Sequence, residues 1–240
     1  MSDARGRLVV TATPIGNLED ITFRAVRVLN EADLIAAEDT RVTRKLLNRY
    51  EIKTPLISLY EQNERGRIPE LVRRIESGDI VAQVSDAGTP GISDPGYRLI
   101  KACLDAGLDV EVVPGPTASI SALVASGLPT DRFLFLGFPP PKTVGRKKWL
   151  AEVAEERGTL IMYESPHRVK QTLADIGEVL GDRPVALARE MTKMFEETLR
   201  GTAAAILHQL GDKTVKGEIV LVVGGNVRLL RQAKKRPSSR

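Results

Sequence analysis

Short apolar runs alternate with amphipathic segments along the first half of the 240-residue chain. An apolar run of about four to eight residues is typical of a buried strand, and a longer amphipathic stretch is typical of a helix. Strands are predicted at residues 8–12, 32–37, 55–59, 80–84 and 110–113, and helices at 22–30, 41–49, 65–77, 95–106 and 117–126. Because parallel strands need crossover connections, this alternation predicts a mostly parallel sheet covered by helices on both faces.

The pattern changes at residues 125–131, where Gly127 and Pro129 interrupt the periodicity. Beyond them, strands are predicted at 133–138, 159–163, 185–189 and 218–223, helices at 149–157, 168–180 and 203–210, and a possible additional strand at 195–200. We therefore predict two α/β domains, 1–128 and 129–225, and a basic, flexible tail at 226–240. The cleft between two such domains is the default ligand site.

Composition narrows the class of protein. The single Cys103 excludes a disulfide framework, and with only two histidines a metal site is not expected. No apolar run approaches the ~18 residues of a membrane span, and the run after Arg7 is too short for a signal peptide. We therefore expect a soluble, cytoplasmic protein that is not associated with a membrane.

The net charge of +4 is modest, but two basic stretches contain no acid. Residues 228–240 hold six Lys or Arg, and residues 142–148 include Arg146 and Lys147. Such stretches attract phosphate backbones through counterion release. For the tail, a solvated end without a ligand is an equally good interpretation.

The most informative loop is SDAGTPGISDPG at residues 85–96, which follows a predicted strand. Ligands of α/β sheets bind beyond the carboxyl ends of the strands, and glycines let the backbone approach a ligand closely. Asp86 stands at the strand exit, where a carboxylate can accept hydrogen bonds from ribose hydroxyls or an amine. A glycine–proline turn capped by Asp86 is the alternative. Neither G-x-G-x-x-G after the first strand nor a P-loop occurs, which disfavours NAD and ATP.

Seven blocks of the chain resemble one family in order and composition. They are ATPIGNLEDI (12–21), AEDTR (37–41), VSDAGTPGISDPG (84–96), VPGPT (113–117), YESPHR (163–168), REMTK (189–193) and KGE (216–218). They resemble the ribosomal RNA small subunit methyltransferase I family, the 16S ribosomal RNA cytidine-2′-O-methyltransferases of the tetrapyrrole methylase superfamily. The resemblance covers residues 7–224.

The resemblance implies two α/β domains of the tetrapyrrole methylase type, with S-adenosyl-L-methionine in the cleft between them. It also implies a homodimer that acts on 16S ribosomal RNA or on the assembled small subunit. The cofactor contacts that it implies are Pro14, Ile15, Gly16, Asp86, Ala87, Gly88, Thr89, Thr117, Ala118, Met162, Tyr163, Ala188 and Lys216.

One block departs from the family. Members often read LHEHNE where this chain reads LYEQNE at residues 59–64, so Tyr60 and Gln62 replace two histidines. If an imidazole were the base, this chain would be impaired. We take the base to lie elsewhere, or Glu61 and Glu64 to be the working residues of this block.

Transfer of a methyl group to a 2′-hydroxyl requires a base for the hydroxyl proton, and cations can stabilise the developing alkoxide. The main candidates for these roles are Glu38, Asp39, Arg41, Glu61, Glu190 and Lys193. Further candidates are Arg44, Glu64, Glu164 and Arg168. For several of them a structural role competes.

The competing roles are local ones. Glu38 or Asp39 is equally suited to cap the following helix, and Glu190 and Lys193 to form a local ion pair. His167 is better suited to a local hydrogen bond than to the role of base. With few aromatic residues, a broad stacking platform is not expected. Tyr60 and Trp149 are candidates for stacking on one base each, although a tryptophan at such a helical position is more often a core residue.

Two other functions compete with RNA methylation. A small-molecule, tetrapyrrole-type methylase would share the fold, and a non-catalytic RNA-binding assembly factor would share the cofactor site. The basic tail and the block at residues 37–41 favour RNA methylation.

Overall fold

The computed structural model describes residues 6–226. The described chain divides between Thr117 and Ala118 into two compact units, each with its own sheet. Apart from Asn226, the predicted basic tail lies outside the described residues. Within them, no helix is long and apolar enough to cross a membrane.

The first unit is a parallel sheet with helices on both faces, as the alternating pattern predicts. Its five strands are in the order β3-β2-β4-β1-β5, and every neighbouring pair is parallel. Its elements are β1 (Arg7–Thr11), a 3-10 turn (Leu18–Asp20), α1 (Phe23–Glu31), β2 (Leu34–Ala37), α2 (Thr40–Arg49), β3 (Leu56–Ser58), α3 (Glu64–Glu76), β4 (Ile80–Val84), α4 (Tyr97–Asp105) and β5 (Asp109–Val113). Each predicted strand and helix of this half is confirmed, with bounds that agree within two residues.

Alternate residues of each strand serve the two faces of the sheet. Leu8 and Val81 pack against Leu71 and Leu99 on one face, in a cluster that also holds Cys103. The other face carries Ile35 and Ala82, which pack with Leu29 and Leu47. Burial on both faces explains why these strands are nearly continuous apolar runs in the sequence.

The second unit contains a mixed sheet. Its elements are α5 (Ala118–Ser126), β6 (Phe133–Phe135), α6 (Thr143–Glu152), β7 (Thr159–Glu164), α7 (Val169–Leu180), β8 (Pro184–Arg189), β9 (Glu197–Thr202), α8 (Ala203–Leu210) and β10 (Ile219–Val223). The strand order is β6-β7-β10-β8-β9, in which β6 and β7 are parallel and the other neighbouring pairs are antiparallel. The possible strand at 195–200 is confirmed as β9. Two α/β units are therefore present, as predicted.

The division between the units precedes α5, whereas the sequence placed the domain boundary at residue 128. Ala122 and Leu123 of α5 pack against Ile161, Ala186 and Val222 of the second sheet. The interruption at Gly127 and Pro129 therefore ends a helix of the second unit. Periodicity marks where a helix ends, but not which sheet it covers.

The helix predicted at 149–157 lies at Thr143–Glu152 instead. The prediction missed its first turns because they are rich in lysine and arginine and were assigned to an exposed basic stretch. Arg146 in fact lies in the core of the second unit, with only 1% of its surface exposed.

Candidate active site

Main-chain hydrogen bonds join the loops that follow β1 and β4. The Thr13 N–H donates to the Gly88 carbonyl at 2.9 Å, and the Gly88 N–H donates to the Thr13 carbonyl at 3.0 Å. The Thr13 hydroxyl donates to the Ser85 carbonyl at 3.1 Å. Because β1 and β4 are neighbours, these bonds hold two of the predicted cofactor loops together at the carboxyl edge of the sheet.

Glycine permits a third loop, which follows β5, to lie against the other two. Gly88 has φ +79°, which favours glycine, and a Cβ there would make only ordinary contacts, 3.6 Å from Ile15 Cγ2 and 3.7 Å from the Pro116 carbonyl oxygen. A Cβ on Gly115 would lie 2.9 Å from Ala12 Cβ. The main chains of three family blocks therefore converge, as a loop cradle for a ligand requires.

The predicted cofactor residues of the first unit occupy this cradle. Pro14 and Ile15 are buried beneath it, and Gly16 is exposed beyond them. Asp86, Ala87 and Thr89 are partly exposed, and Thr117 ends the loop after β5. These positions suit a ligand that contacts main-chain atoms and one carboxylate.

Two carboxylates tie the loop after β2 to the loop after β4. The Asp86 N–H donates to Glu38 Oε2 at 3.2 Å, and Asp86 Oδ1 accepts the N–H of Asp39 at 3.0 Å. Among residues 6–226, no group hydrogen-bonds to Asp86 Oδ2. This oxygen therefore remains available to a hydroxyl or ammonium group, which fits S-adenosyl-L-methionine.

The three acids at this edge differ in basicity. Burial raises the pKa of Glu38, and the neighbouring charges of Asp86 and Asp39 add to the rise against the hydrogen bond from Asp86. Burial likewise raises the pKa of Asp86. The hydrogen bond from Arg41 lowers the pKa of Asp39 to about 2. In the described part of the chain, no cluster of His, Cys, Asp or Glu side chains is arranged to hold a metal ion.

Asp39 has the structural role that the sequence left open. Its side chain caps α2 by accepting the Arg41 N–H at 2.8 Å, and it also pairs with the Arg41 guanidinium at 2.6 Å. Arg41 nevertheless projects outward, with 88% of its side chain exposed. Asp39 therefore orders the start of α2, and Glu38 is the acid free of this task.

The block at residues 59–64 is folded around Asn63. Its Oδ1 accepts the Tyr60 N–H at 2.8 Å, and its Nδ2 donates to the Ser58 carbonyl at 3.1 Å. Glu61 is exposed, whereas Glu64 is buried with Arg98 at 3.6 Å. The two glutamates that the sequence treated alike are thus in opposite environments.

In the second unit, Glu190 and Lys193 form the local ion pair that competed with a catalytic role. Lys193 Nζ contacts Glu190 Oε1 at 3.0 Å and Glu218 Oε2 at 3.1 Å, and the Glu218 N–H donates to Glu190 Oε1 at 3.0 Å. Gly217 makes room for this network, since a Cβ there would lie 2.4 Å from Glu190 Oε1. Gly217 and Glu218 belong to the KGE block at residues 216–218, but nothing in that block indicates that they form this network.

The remaining predicted cofactor residues also lie in the second unit. The side chains of Met162 and Ala188 are fully buried in its core, which leaves only main-chain atoms to a ligand. Tyr163 and Ala118 are partly exposed, and Lys216 is exposed. These assignments stay predictions.

The loop at 163–168 is organised by Glu164. This buried carboxylate accepts hydrogen bonds from the Ser165 N–H, Arg168 and the Thr172 hydroxyl. His167 is exposed, and its N–H donates to Ser165 Oγ at 3.3 Å. Glu164 and Arg168 therefore have a structural role in shaping this loop, and a role for either in catalysis stays a prediction.

The predicted phosphate-binding stretch at 142–148 is only half available. Arg146 is buried and pairs with Asp175 at 2.6 Å, and Lys147 pairs with Glu178 at 2.6 Å. Lys142 and Lys148 are exposed. Trp149, a candidate for stacking, packs against the hydrophobic core of the second unit.

Known proteins resemble the whole described chain. The family model of Tetrapyrrole (Corrin/Porphyrin) Methylases matches residues 7–207. Ribosomal RNA small subunit methyltransferase I of Halalkalibacterium halodurans is 50% identical over 224 residues, which cover 93% of this chain and 78% of that protein. The protein of that name from Thermotoga maritima is 47% identical over 220 residues, which cover 92% of this chain and 99% of that protein.

Solved structures share the fold at lower identity. Uroporphyrin-III C-methyl transferase from Thermus thermophilus, complexed with S-adenyl homocysteine, is 22% identical with a TM-score of 0.63, over 93% of this chain and 100% of that chain. A cobalt precorrin-4 methyltransferase is 17% identical with a TM-score of 0.69, over 93% of this chain and 97% of that chain. The chain therefore belongs to the tetrapyrrole methylase family and, within it, to the group of ribosomal RNA small subunit methyltransferase I.

Proposed function

We propose that this chain transfers a methyl group from S-adenosyl-L-methionine to the 2′-hydroxyl of a cytidine in the 16S RNA of the small ribosomal subunit. The observation that carries the proposal is the pair of hydrogen bonds between the loops after β2 and β4, which brings Glu38, Asp39 and Asp86 together beside the glycine cradle. Relatives that are about half identical are named ribosomal RNA small subunit methyltransferase I, which supports methylation of small-subunit RNA.

The residues of the first unit fit a bound cofactor. Main-chain groups near Ile15 and Gly88 would hold it closely, and Asp86 Oδ2 would accept a hydrogen bond from its hydroxyl or ammonium groups. When bound, S-adenosyl-L-methionine supplies an electrophilic methyl group on a sulfonium. The remaining task of the chain is to align the nucleophile and to remove its proton.

Glu38 is the acid best suited to take that proton. Because burial raises its pKa, its carboxylate is a stronger base than that of Asp39, whose pKa is about 2. Glu38 Oε2 accepts a hydrogen bond from the Asp86 N–H. This bond holds the Glu38 carboxylate beside Asp86, the residue proposed to bind the cofactor. The side chain of Arg41, which pairs with Asp39, is exposed and is available to bind an RNA phosphate.

The substrate is 16S ribosomal RNA, either free or in the assembled small subunit, and the active form is a homodimer. Both statements rest on the family relationship. The two rival functions, a small-molecule methylase and a non-catalytic assembly factor, are separated by the same assay.

The assay incubates the protein and methyl-labelled S-adenosyl-L-methionine with small ribosomal subunits, a tetrapyrrole, or a DNA strand of the target sequence. We expect label in 16S RNA alone, because DNA lacks the 2′-hydroxyl. A 2′-O-methyl group removes the neighbouring nucleophile, so the next phosphodiester should resist alkaline hydrolysis. Asp86→Ala is the inactive control.

Each rival predicts a different result. Label in the tetrapyrrole would indicate a small-molecule methylase, and cofactor binding without transfer would indicate an assembly factor. A methyl group that nucleoside mass spectrometry locates on the base would contradict 2′-O-methylation.

A further inference from the structure

We propose that Phe138 is a stacking site for a nucleobase of single-stranded RNA, on the loop between β6 and α6. Its side chain is 55% exposed, although it belongs to an aromatic cluster. The proposal deepens the proposed function and rests on it, since it names how the RNA substrate is recognised. Tyr60 and Trp149 are the residues for which the sequence predicts stacking, so Phe138 is an additional candidate that only the structure indicates.

The Phe138 ring is held in an aromatic cluster and still has more than half of its surface exposed. It packs against Tyr163 with ring centroids 5.5 Å apart at 58°, and Tyr163 packs edge-on against Phe135 at 5.0 Å and 69°. Phe135 and Tyr163 are partly buried. An exposed aromatic ring that is held against a second aromatic ring is suited to stacking a planar base, because every base offers a π face.

The main chain on both sides of Phe138 is held firmly. On one side, the Gly137 carbonyl accepts the Tyr163 N–H at 3.0 Å, and Gly137 has φ +67°, which favours glycine. On the other side, Pro139 is buried and begins a run of three prolines. A ring whose backbone is already ordered loses little conformational entropy when a ligand binds.

The buried Arg146 fixes the far end of the proline run. Its guanidinium donates to the Pro140 carbonyl at 3.3 Å and to the Pro141 carbonyl at 3.2 Å, while Asp175 holds it at 2.6 Å. The buried ion pair of Arg146 and Asp175 therefore helps to determine the conformation of an exposed loop. This gives the loop a defined conformation that the sequence of the proline run alone does not specify.

The charge around the ring favours RNA over a second protein surface. Residues 133–151 contain no Asp or Glu. Arg146 and Lys147 are neutralised by Asp175 and Glu178, but Lys142 and Lys148 are exposed and form no ion pair within residues 6–226. An exposed aromatic ring in a segment that also carries exposed, unpaired lysines is a combination that can bind a base and its phosphates.

The test measures binding of a single-stranded RNA that carries the fluorescent base pyrrolocytosine in the target sequence. Four proteins are compared: wild type, Phe138→Ala, Phe138→Trp and Phe23→Ala. Phe23, which is 97% exposed on α1, is the control for an exposed aromatic residue elsewhere. Calorimetry with S-adenosyl-L-methionine, light scattering and kinetics on small subunits complete the set.

We expect the wild type to quench the fluorescence. Phe138→Ala should lose the quench and weaken RNA binding about tenfold, with a similar rise in KM and little change in kcat. Phe138→Trp should keep both, and Phe23→Ala should match the wild type. Cofactor affinity and molecular mass should be the same in all four.

Unchanged quench and affinity in Phe138→Ala would overturn the inference. A loss of cofactor affinity would assign Phe138 to the cofactor site instead, and a change of mass would assign it to a subunit interface. If the wild type methylates no RNA, the proposed function fails, and the quench still decides whether Phe138 stacks on a base.

Discussion

Asp86 accepts the main-chain N–H of Asp39 at 3.0 Å, which leaves one oxygen of its carboxylate for a ligand. Asp86→Asn keeps an oxygen for Asp39 but loses the charge and the second acceptor. We expect calorimetry to show at least tenfold weaker binding of S-adenosyl-L-methionine to Asp86→Asn, with unfolding unchanged. Asp86→Ala should also lose about 1 kcal/mol of stability, because the Asp39 N–H loses its partner.

Asp33→Asn is the matched control for Asp86. Asp33 Oδ2 also accepts a main-chain N–H, that of Ile80 at 2.8 Å, but at the opposite end of β4. The affinity of the Asp33→Asn variant for S-adenosyl-L-methionine should equal that of the wild type. Unchanged affinity in both Asp86 variants would remove Asp86 from the site.

The raised pKa of Glu38 predicts the acid side of the pH profile. A base must be deprotonated, so kcat should fall as pH decreases through the pKa of Glu38, which lies above the ordinary value of 4.5. Glu38→Gln should lower kcat about 100-fold and abolish this limb of the profile. Steady-state kinetics from acidic to neutral pH would measure both effects.

Asp39→Asn separates Glu38 from its neighbour. Since the pKa of Asp39 is about 2, its titration cannot produce a limb near the working pH, and asparagine also caps helices well. The limb should therefore persist in Asp39→Asn. A limb that survives in Glu38→Gln would assign the base to another residue.

The ion pair between Arg146 and Asp175 should be the most sensitive charge pair in the second unit. Arg146→Met leaves the carboxylate of Asp175 buried without its ion-pair partner, with the hydrogen bond from Gln171 remaining, and breaking a buried ion pair typically costs about 3–5 kcal/mol. Lys147→Met breaks the neighbouring, more exposed pair with Glu178 and should cost less than about 1 kcal/mol. Urea unfolding of both variants would measure the difference, and equal costs would contradict the role of burial.

A side chain at position 217 should lower the free energy of unfolding. Gly217→Ala adds the cost of an alanine at φ +91° to a Cβ contact of 2.4 Å with Glu190. Gly181→Ala is the control, because Gly181 also has a positive φ of +72° but open space around it, so only backbone strain of about 1–3 kcal/mol should be added. Gly217→Ala should cost at least about 1 kcal/mol more.

A second readout of Gly217→Ala is proteolysis. Displacement of Glu190 would release Lys193, so trypsin should cleave after Lys193 faster in Gly217→Ala than in Gly181→Ala. If the two variants have equal stability and cleavage rates, Glu190 yields without disturbing its network.

Most of the fold of the first unit could be predicted from the sequence. Its three central strands, β1, β2 and β4, are buried on both faces and its helices on one, so the apolar pattern is visible within short windows of sequence. The predicted cofactor loops of this unit could be proposed for a related reason, because each directly follows a strand of the sheet. The motif blocks identified the family, and the family implied the expected cofactor and substrate.

Other properties were decided only by contacts between distant residues. The sequence could not reveal that β7, β10 and β8 pair antiparallel, or that α5 covers the second sheet. Nor could it distinguish buried Glu64 from exposed Glu61, or the capping Asp39 from Glu38.

Arg146 shows the physical reason most clearly. Its local sequence is that of an exposed, phosphate-binding stretch, and the sequence alone determined that a positive charge stands there. Its partner Asp175 lies 29 residues away, and their pairing turns the arginine into the buried support of the loop that presents Phe138. The free energy of a charge depends on burial and on the partner it meets, and only the tertiary structure supplies both.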